Sequence, residues 1–106
     1  MRTLLLTMAA CLAACGQTKK FDVPITLDQN AAMPSGTRSL KDYNRYYAKT
    51  NHGWVGIFDS TAKGGGKAQL TTEDKLPMVL DGGCDIVNFT FDDEMKLVSA
   101  FCNGDA

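Results

Sequence analysis

The sequence predicts a small α+β domain in which one amphipathic helix packs on an antiparallel β-sheet of four to five strands. Three observations lead to this fold. Short apolar segments with period-two patterning recur in the second half of the chain. One segment has tyrosines at helical spacing. Two cysteines flank the last two apolar segments, and because a domain this small has a marginal core, we expect them to form a disulfide.

The first fourteen residues have the parts of an export signal. Arg2 supplies a positive charge, an apolar segment runs to Leu12, and Ala13 and Ala14 are small residues before a predicted cleavage site between Ala14 and Cys15. The apolar segment, about ten residues long, is too short to span a bilayer. We therefore expect residues 1–14 to be a signal peptide that is removed.

The residues Leu12-Ala13-Ala14-Cys15 resemble the lipobox of bacterial lipoproteins. The resemblance implies that Cys15 carries lipid on its sulfur and that the new amino terminus is acylated. Gly16 follows the cysteine, which in that class implies an outer-membrane destination in a diderm bacterium, with the domain facing the periplasm. The alternatives are an ordinary secretory signal that ends in a cysteine and lipidation at Cys11, which would leave a much shorter apolar region.

The charge of the chain excludes one class of function. The formal net charge of the whole sequence is −1, and removal of Arg2 with the signal would make it −2. Nucleic-acid binding domains are strongly basic or carry a Lys/Arg stripe. We therefore expect no nucleic-acid partner, and the implied partner is a membrane, reached through the lipid anchor.

Residues 15–37 are interpreted as a lipid-anchored tether. Within it, Phe21, Val23, Ile25 and Leu27 alternate with polar residues, which predicts an edge strand over residues 21–27, with Pro24 lacking an amide hydrogen. The alternative is that the segment does not dock and spans its length as a random coil. Residues 38–106 are then the α+β domain proper.

The predicted helix begins near Ser39. Ser39 resembles an N-cap, and Leu40, Tyr43 and the pair Tyr46-Tyr47 follow at helical spacing before an end signal at residues 50–53. A tyrosine stripe of this kind can bind a ligand, but it is more typical of packing against a sheet.

A strand is predicted over residues 53–58, and a glycine-rich loop follows it. Gly56 indicates a bulge or a close contact with the helix. The loop Lys63–Lys67 contains three glycines, but it lacks the spacing and the Ser or Thr of a phosphate-binding loop, so it is interpreted as a hairpin connection. An apolar segment, Leu76–Leu80, precedes a turn at residues 81–83.

The last two strands are predicted as a hairpin joined by a Cys84 to Cys102 disulfide. Placing the two cysteines opposite each other gives a register in which paired residue numbers sum to 186. One face then carries Val87, Phe89, Phe91, Met95, Leu97 and Phe101, and the other carries Cys84, Asn88, Thr90, Lys96 and Cys102. A metal site is the weaker interpretation of this pair, because two thiols without a histidine cluster do not make a zinc set.

Few residues offer chemistry. His52 is the only histidine and lies in the predicted helix-ending loop. Asp92, Asp93 and Glu94 form an acidic turn that lacks the pattern of a calcium loop and is interpreted as solvated. The sequence therefore predicts no cofactor, no metal and no catalytic residue.

We expect a small membrane-anchored envelope lipoprotein that acts as a binding or scaffold module for an envelope protein, and not as an enzyme. One alternative is an inhibitor of a periplasmic hydrolase such as lysozyme, which would use the loop Lys63–Lys67 or the acidic turn at Asp92. A second alternative is an enzyme of unknown class.

Overall fold

The structure, a computed structural model, describes residues 22–61 and 65–104. Its helices and strands, in chain order, are α1 (Val23–Asn30), β1 (Asn44–Thr50), β2 (Gly53–Asp59), β3 (Ala68–Thr71), β4 (Ile86–Phe91) and β5 (Leu97–Cys102). Single turns of 3₁₀ helix occur at Leu40–Asp42, Glu73–Lys75 and Gly83–Asp85. The predicted α+β class is confirmed: one helix lies on a five-stranded sheet, and a disulfide joins Cys84 to Cys102.

The sheet is mixed, and the expected all-antiparallel sheet is wrong in one strand pair. The strand order is β3-β1-β2-β4-β5. The pairs β1–β2, β2–β4 and β4–β5 are antiparallel, but β3 pairs with β1 in parallel. After β2 the chain therefore does not form a simple hairpin, because it passes β1 and joins the sheet on the far side of that strand.

Residues 21–27 were expected to include an edge strand, and that expectation is wrong, because α1 begins at Val23. The Asp22 side chain caps the helix by accepting a hydrogen bond from the Ile25 amide at 3.3 Å. Pro24 lies in the first turn, where a missing amide hydrogen costs nothing. Leu27 is fully buried while Ile25 is exposed, so the helix docks through one side. Residues 15–21 of the expected tether lie outside the described residues.

The predicted helix from Ser39 is also wrong, because β1 occupies residues 44–50. Tyr43 and Tyr47 are four residues apart, a spacing that places two side chains on one side of a helix and equally on one face of a strand. Both are fully buried, and Arg45 lies between them on the same face. A charged residue at this position hid the period-two pattern.

The core lies between α1 and one face of the sheet. Its fully or almost fully buried members are Leu27, Tyr43, Tyr47, Phe58, Val87, Phe89 and Phe91. The five buried aromatic rings of this core form a continuous group in which the closest pair, Phe58 and Phe89, has ring centroids 4.3 Å apart. The Tyr47 ring lies directly over Gly56, where a Cβ atom would be 2.9 Å from the ring. The close contact expected at Gly56 therefore exists, but with a strand residue.

A buried ion pair fastens α1 to the sheet. The guanidinium of Arg45 binds both carboxylate oxygens of Asp28, at 3.0 and 3.1 Å. The same guanidinium donates to the backbone carbonyls of Leu40 and Tyr43, each at 3.1 Å. The Tyr47 hydroxyl donates to Asp28. The Arg45 side chain is 8% exposed, so its charge is compensated by Asp28 and by carbonyl oxygens in place of water.

The register of the C-terminal hairpin differs from the predicted one. Val87 pairs with Cys102, so paired numbers sum to 189 instead of 186. Cys84 lies in the 3₁₀ turn before β4 and is not opposite Cys102 in the ladder. A bulge near Val98 and a tight turn at Met95, whose φ is 65°, shift the returning strand.

The changed register alters which side chains of β5 are buried. Val87, Phe89 and Phe91 lie on the core face as expected, and Met95 and Leu97 pack against the core. Phe101 was expected to join them and does not, because it pairs with Asn88 on the opposite face and is 55% exposed.

Candidate functional site

The residues predicted as sites fall into two groups. Ala14 and Cys15, the expected cleavage and lipidation positions, lie outside the described residues, so both stay predictions. The disulfide between Cys84 and Cys102 is confirmed, with Cα atoms 4.6 Å apart. The Cys84 carbonyl accepts a hydrogen bond of 2.6 Å from the Tyr43 hydroxyl, which ties the disulfide to the core.

The polar residues singled out in the sequence do not converge on one site. His52 is exposed in the turn between β1 and β2. Asp92 uses its carboxylate within its own turn, where it accepts hydrogen bonds from the Glu94 and Lys96 amides at 2.8 and 2.9 Å. Within residues 22–61 and 65–104, no group of three or more His, Cys, Asp and Glu side chains is placed to hold a metal ion. The acidic turn is therefore held by its own side chain.

The glycine-rich loop is partly outside the described residues. Lys63 and Gly64 fall in the undescribed segment, while Lys67 accepts a hydrogen bond from the Arg45 amide at 2.7 Å as the chain enters β3. The described end of this loop therefore leads directly into β3 and is bonded to β1.

An open depression of about 310 Å³ lies beside the disulfide and is lined by Gly36, Arg38, Gly82, Cys84 and Asp85. Its two charged side chains bind each other, with 3.1 Å between Arg38 Nε and Asp85 Oδ1. A hydrogen bond from Ser60 and the pairing with Arg38 lower the pKa of Asp85. The Arg38 and Asp85 side chains are 60% and 42% exposed, so neither presents a desolvated charge to a ligand.

Strand β5 provides the stronger candidate, because it is an edge strand with unusually exposed apolar side chains. Val98 is 64% exposed and Phe101 is 55% exposed. β5 pairs with β4 on one side, and no other segment of the described chain pairs with it. We call the unpaired backbone of Leu97–Cys102, together with the side chains of Val98 and Phe101, the β5 edge.

The hydrogen-bonding pattern identifies which backbone groups of the β5 edge point away from the sheet. The Asn103 amide donates to the Ile86 carbonyl at 2.9 Å, so this pair is hydrogen-bonded. Bonded and non-bonded pairs alternate in an antiparallel ladder, so Phe101 and Ser99 also bond inward to β4. The amide and carbonyl groups of Ala100 and Cys102 therefore point outward.

The β5 edge lacks most of the features that protect edge strands from pairing. Natural edges are shortened, charged, interrupted by proline or twisted by bulges. Leu97–Cys102 has six residues and contains no charged residue and no proline, and the bulge near Val98 affects only its beginning. The stretch from Ser99 to Cys102 is thus regular, uncharged and able to pair.

A neighbouring apolar segment extends this surface. The Asn103 side chain accepts a hydrogen bond of 2.6 Å from Asn88 and donates to the Val79 and Asp81 carbonyls at 2.7 and 3.0 Å. These bonds hold the segment around Leu80 near the end of β5. Leu80 is 87% exposed, so apolar side chains are exposed on both sides of Asn103.

The β5 edge is absent from the features predicted by the sequence, because the predicted register placed Phe101 in the core. A signal was present: Leu97 and Val98 are adjacent apolar residues, as are Ala100 and Phe101, so a strand here must leave one apolar residue of each pair on the face away from the core.

The chain was compared with protein-family models, curated proteins and solved structures, and no match was found. No helix in the part of the chain that the structure describes is long and apolar enough to cross a membrane. The class that fold and site define is thus a small disulfide-bonded α+β domain with an open sheet edge.

Proposed function

We propose that this protein is a lipid-anchored envelope lipoprotein whose domain serves as a binding or scaffold module, and that the β5 edge is its binding site. The observation that carries the proposal is the unpaired, uncharged strand with Val98 and Phe101 exposed beside it. An extended segment of another protein that adds to such an edge gains main-chain hydrogen bonds, and the exposed side chains supply specificity.

The proposed anchor places this edge close to the membrane. Cys15 precedes Asp22, the cap of the docked helix, by seven positions in the sequence. A chain of that length reaches about 25 Å when fully extended. The domain is therefore expected to stay within roughly its own diameter of the bilayer and to meet its partner near the membrane surface.

The way the site is held suits binding by a rigid surface. The disulfide closes one end of β5, Ala100 packs against the core, and Asn103 is fixed by bonds to three backbone and side-chain groups. A partner strand would add to an edge that is already ordered, so little conformational entropy would be lost on the domain side.

The anchor is tested by expressing the full chain in a diderm bacterium and separating membrane from soluble protein. We expect the wild type and Cys11→Ser to fractionate with the outer membrane and to carry acyl groups by mass spectrometry. We expect Cys15→Ser to lack acyl groups and to leave the membrane fraction. Equal fractionation of all three proteins without acylation at position 15 would contradict the anchor.

The binding site is tested by photo-crosslinking in intact cells. A photoreactive phenylalanine derivative at position 98 should capture a defined protein, whereas the same derivative at Ile25 should not. Ile25 is a matched control because it is 54% exposed but lies on α1. Equal capture from both positions, or capture of lipid alone, would contradict a binding role for the β5 edge. Recovery of a cell-wall hydrolase would favour the inhibitor function over a scaffold.

A further inference from the structure

We propose that the partner of the β5 edge is the β5 edge of a second copy of this chain, paired antiparallel across a two-fold axis at Phe101, so that two five-stranded sheets become one ten-stranded sheet. The pairing geometry follows from the structure of the edge. The expectation that both copies share one membrane rests on the proposed lipid anchor.

The outward backbone groups fix the register. Ala100 and Cys102 flank Phe101, and their amide and carbonyl groups point away from β4. A two-fold axis at Phe101 places Ala100 of one copy opposite Cys102 of the other, and the reverse, so that both residues of each copy form hydrogen-bonded pairs. An axis at Ala100 would place Cys102 opposite Val98, which lies in the bulge, and an axis at Cys102 would place Ala100 opposite Gly104, beyond the end of β5.

The same register makes Phe101 its own partner. Phe101 faces Phe101 of the second copy in a non-hydrogen-bonded pair, the kind in which opposite side chains approach most closely. Each ring is 55% exposed in the single chain. Pairing therefore removes apolar surface from water at the centre of the contact, on the sheet face opposite α1.

The absence of charge allows two copies to pair with each other. Leu97–Cys102 contains no charged side chain, so a two-fold contact places no like charges opposite each other. A two-fold contact needs only a surface that complements itself. An uncharged strand with one central aromatic residue meets that requirement.

The membrane imposes a further condition, and a β5 to β5 dimer satisfies it. The two-fold axis of an edge-to-edge antiparallel pair is perpendicular to the sheet, so α1 of both copies lies on the same side. Each α1 begins at Val23, close in sequence to Cys15. Both proposed anchors can therefore reach one bilayer without either domain turning over.

The proposed interface is small, and confinement of both copies to the membrane would compensate for its weak affinity. One strand edge with its neighbouring side chains is at the low end of the sizes of specific interfaces. Confinement of both copies to a membrane surface raises their effective concentration, so a weak contact is populated there. The dimer is therefore expected in membranes and should largely dissociate on dilution in detergent.

Charge exchange at position 101 tests the pairing. Two full-length copies with different epitope tags are co-expressed, each with the photoreactive phenylalanine derivative at position 98, and isolated membranes are irradiated. We expect wild-type copies to form a product carrying both tags. Copies that both carry Phe101→Lys, or both Phe101→Glu, should lose this product by about tenfold, and the mixed Lys and Glu pair should recover it. Ile25→Lys and Ile25→Glu are the matched controls and should change nothing.

Two further measurements distinguish a loss of pairing from a loss of folding or of the anchor. Non-reducing electrophoresis shows whether each variant has formed its disulfide and therefore folded. Membrane fractionation shows whether each copy is anchored, so loss of the anchor would count against the proposed function and not against the pairing. Anchored, folded copies that give no doubly tagged product, that lose it equally in the mixed pair, or that crosslink only to a different protein would overturn the proposal.

Discussion

The two sides of the sheet are fastened by different chemistry. On the β3 and β1 side, α1 is held by the buried ion pair between Asp28 and Arg45, with a hydrogen bond from Tyr47. On the β4 and β5 side, the covalent bond between Cys84 and Cys102 closes the hairpin, and α1 adds a hydrogen bond of 2.6 Å from the Asn30 side chain to the Met95 carbonyl. The first fastening is electrostatic, and the second depends on the oxidation of two thiols.

The two edge strands differ in the same way. β3 has four residues, is next to α1 and follows Lys67, so the β3 edge is short and charged at its start. β5 has six residues and no charge. Because a disulfide adds stability without covering the strand, the β5 edge stays open to a partner. Covalent closure thus leaves a sheet edge accessible, whereas a docked helix next to the edge restricts it.

The largest expected effect is on the ion-pair side. Arg45→Met leaves the Asp28 carboxylate without its cation, and we expect a loss of about 4 kcal/mol in the free energy of unfolding. Urea denaturation measures it. Lys49→Met is the control, because Lys49 makes an exposed pair with Asp93 at 3.5 Å, and it should cost less than about 0.5 kcal/mol. Similar losses in the two variants would mean that the buried pair does not fasten α1.

The disulfide side should give the next effect. The double variant Cys84→Ala and Cys102→Ala removes a cross-link between residues 18 apart, which contributes about 3 kcal/mol in the chain-entropy model. We expect the wild type in reductant to lose a similar amount, and the double variant to be indifferent to reductant. If reductant also destabilises the double variant, the loss of stability in reductant does not come from breaking this disulfide.

The third expected effect is a pH dependence of the stability, which arises at Tyr47 on the α1 side of the sheet. Burial, and then the hydrogen bond that its hydroxyl donates to Asp28, raise the pKa of Tyr47. A raised pKa in the folded state means that the associated stability is fully present below the unfolded pKa of about 10 and is lost as the pH rises above it. The free energy of unfolding of the wild-type protein should therefore decrease above about pH 10.

Tyr47→Phe tests this. The variant should cost about 1 kcal/mol at pH 7 through the lost hydrogen bond, and its stability should fall less steeply than that of the wild type above pH 10. Urea denaturation of both proteins at pH 7 and at several pH values above 10 measures the free energy of unfolding and its slope with pH. Tyr46→Phe, a half-buried tyrosine on the opposite face, is the control and should keep the wild-type slope. An unchanged slope in Tyr47→Phe would contradict the role assigned to its hydroxyl.

The smallest expected effect on stability is at the β5 edge itself. Phe101→Lys replaces a side chain that is 55% exposed and outside the core, so we expect a change within about 0.5 kcal/mol. Thermal unfolding of the purified protein measures it. A loss comparable to that of the disulfide variant would show that Phe101 is structural and would remove it as a binding residue.

The fold class and the disulfide could be predicted from the sequence, because period-two apolar patterning and a cysteine pair report directly on strands and cross-links. The location of the helix could not. Tyr43 and Tyr47 fit a helix and a strand equally, and only the partner of Arg45, seventeen positions away at Asp28, decides between them. Long-range compensation of a buried charge leaves no local signal.

The candidate site was hidden for a related reason. The predicted register assumed that bonded cysteines face each other, and the bulge near Val98 and the left-handed Met95 break that assumption. These two local irregularities turn Phe101 from the core to the surface. Asp22 and Pro24, by contrast, were a readable helix start that the alternating residues obscured.

The position of the disulfide also bears on degradation. The turn at Asp93 and Glu94 is exposed and lies inside the ring closed by Cys84 and Cys102. A protease that cuts there would separate β4 from β5 in the main chain but would leave the two pieces covalently joined and still paired. A nick at this turn would therefore leave β5 in place beside β4.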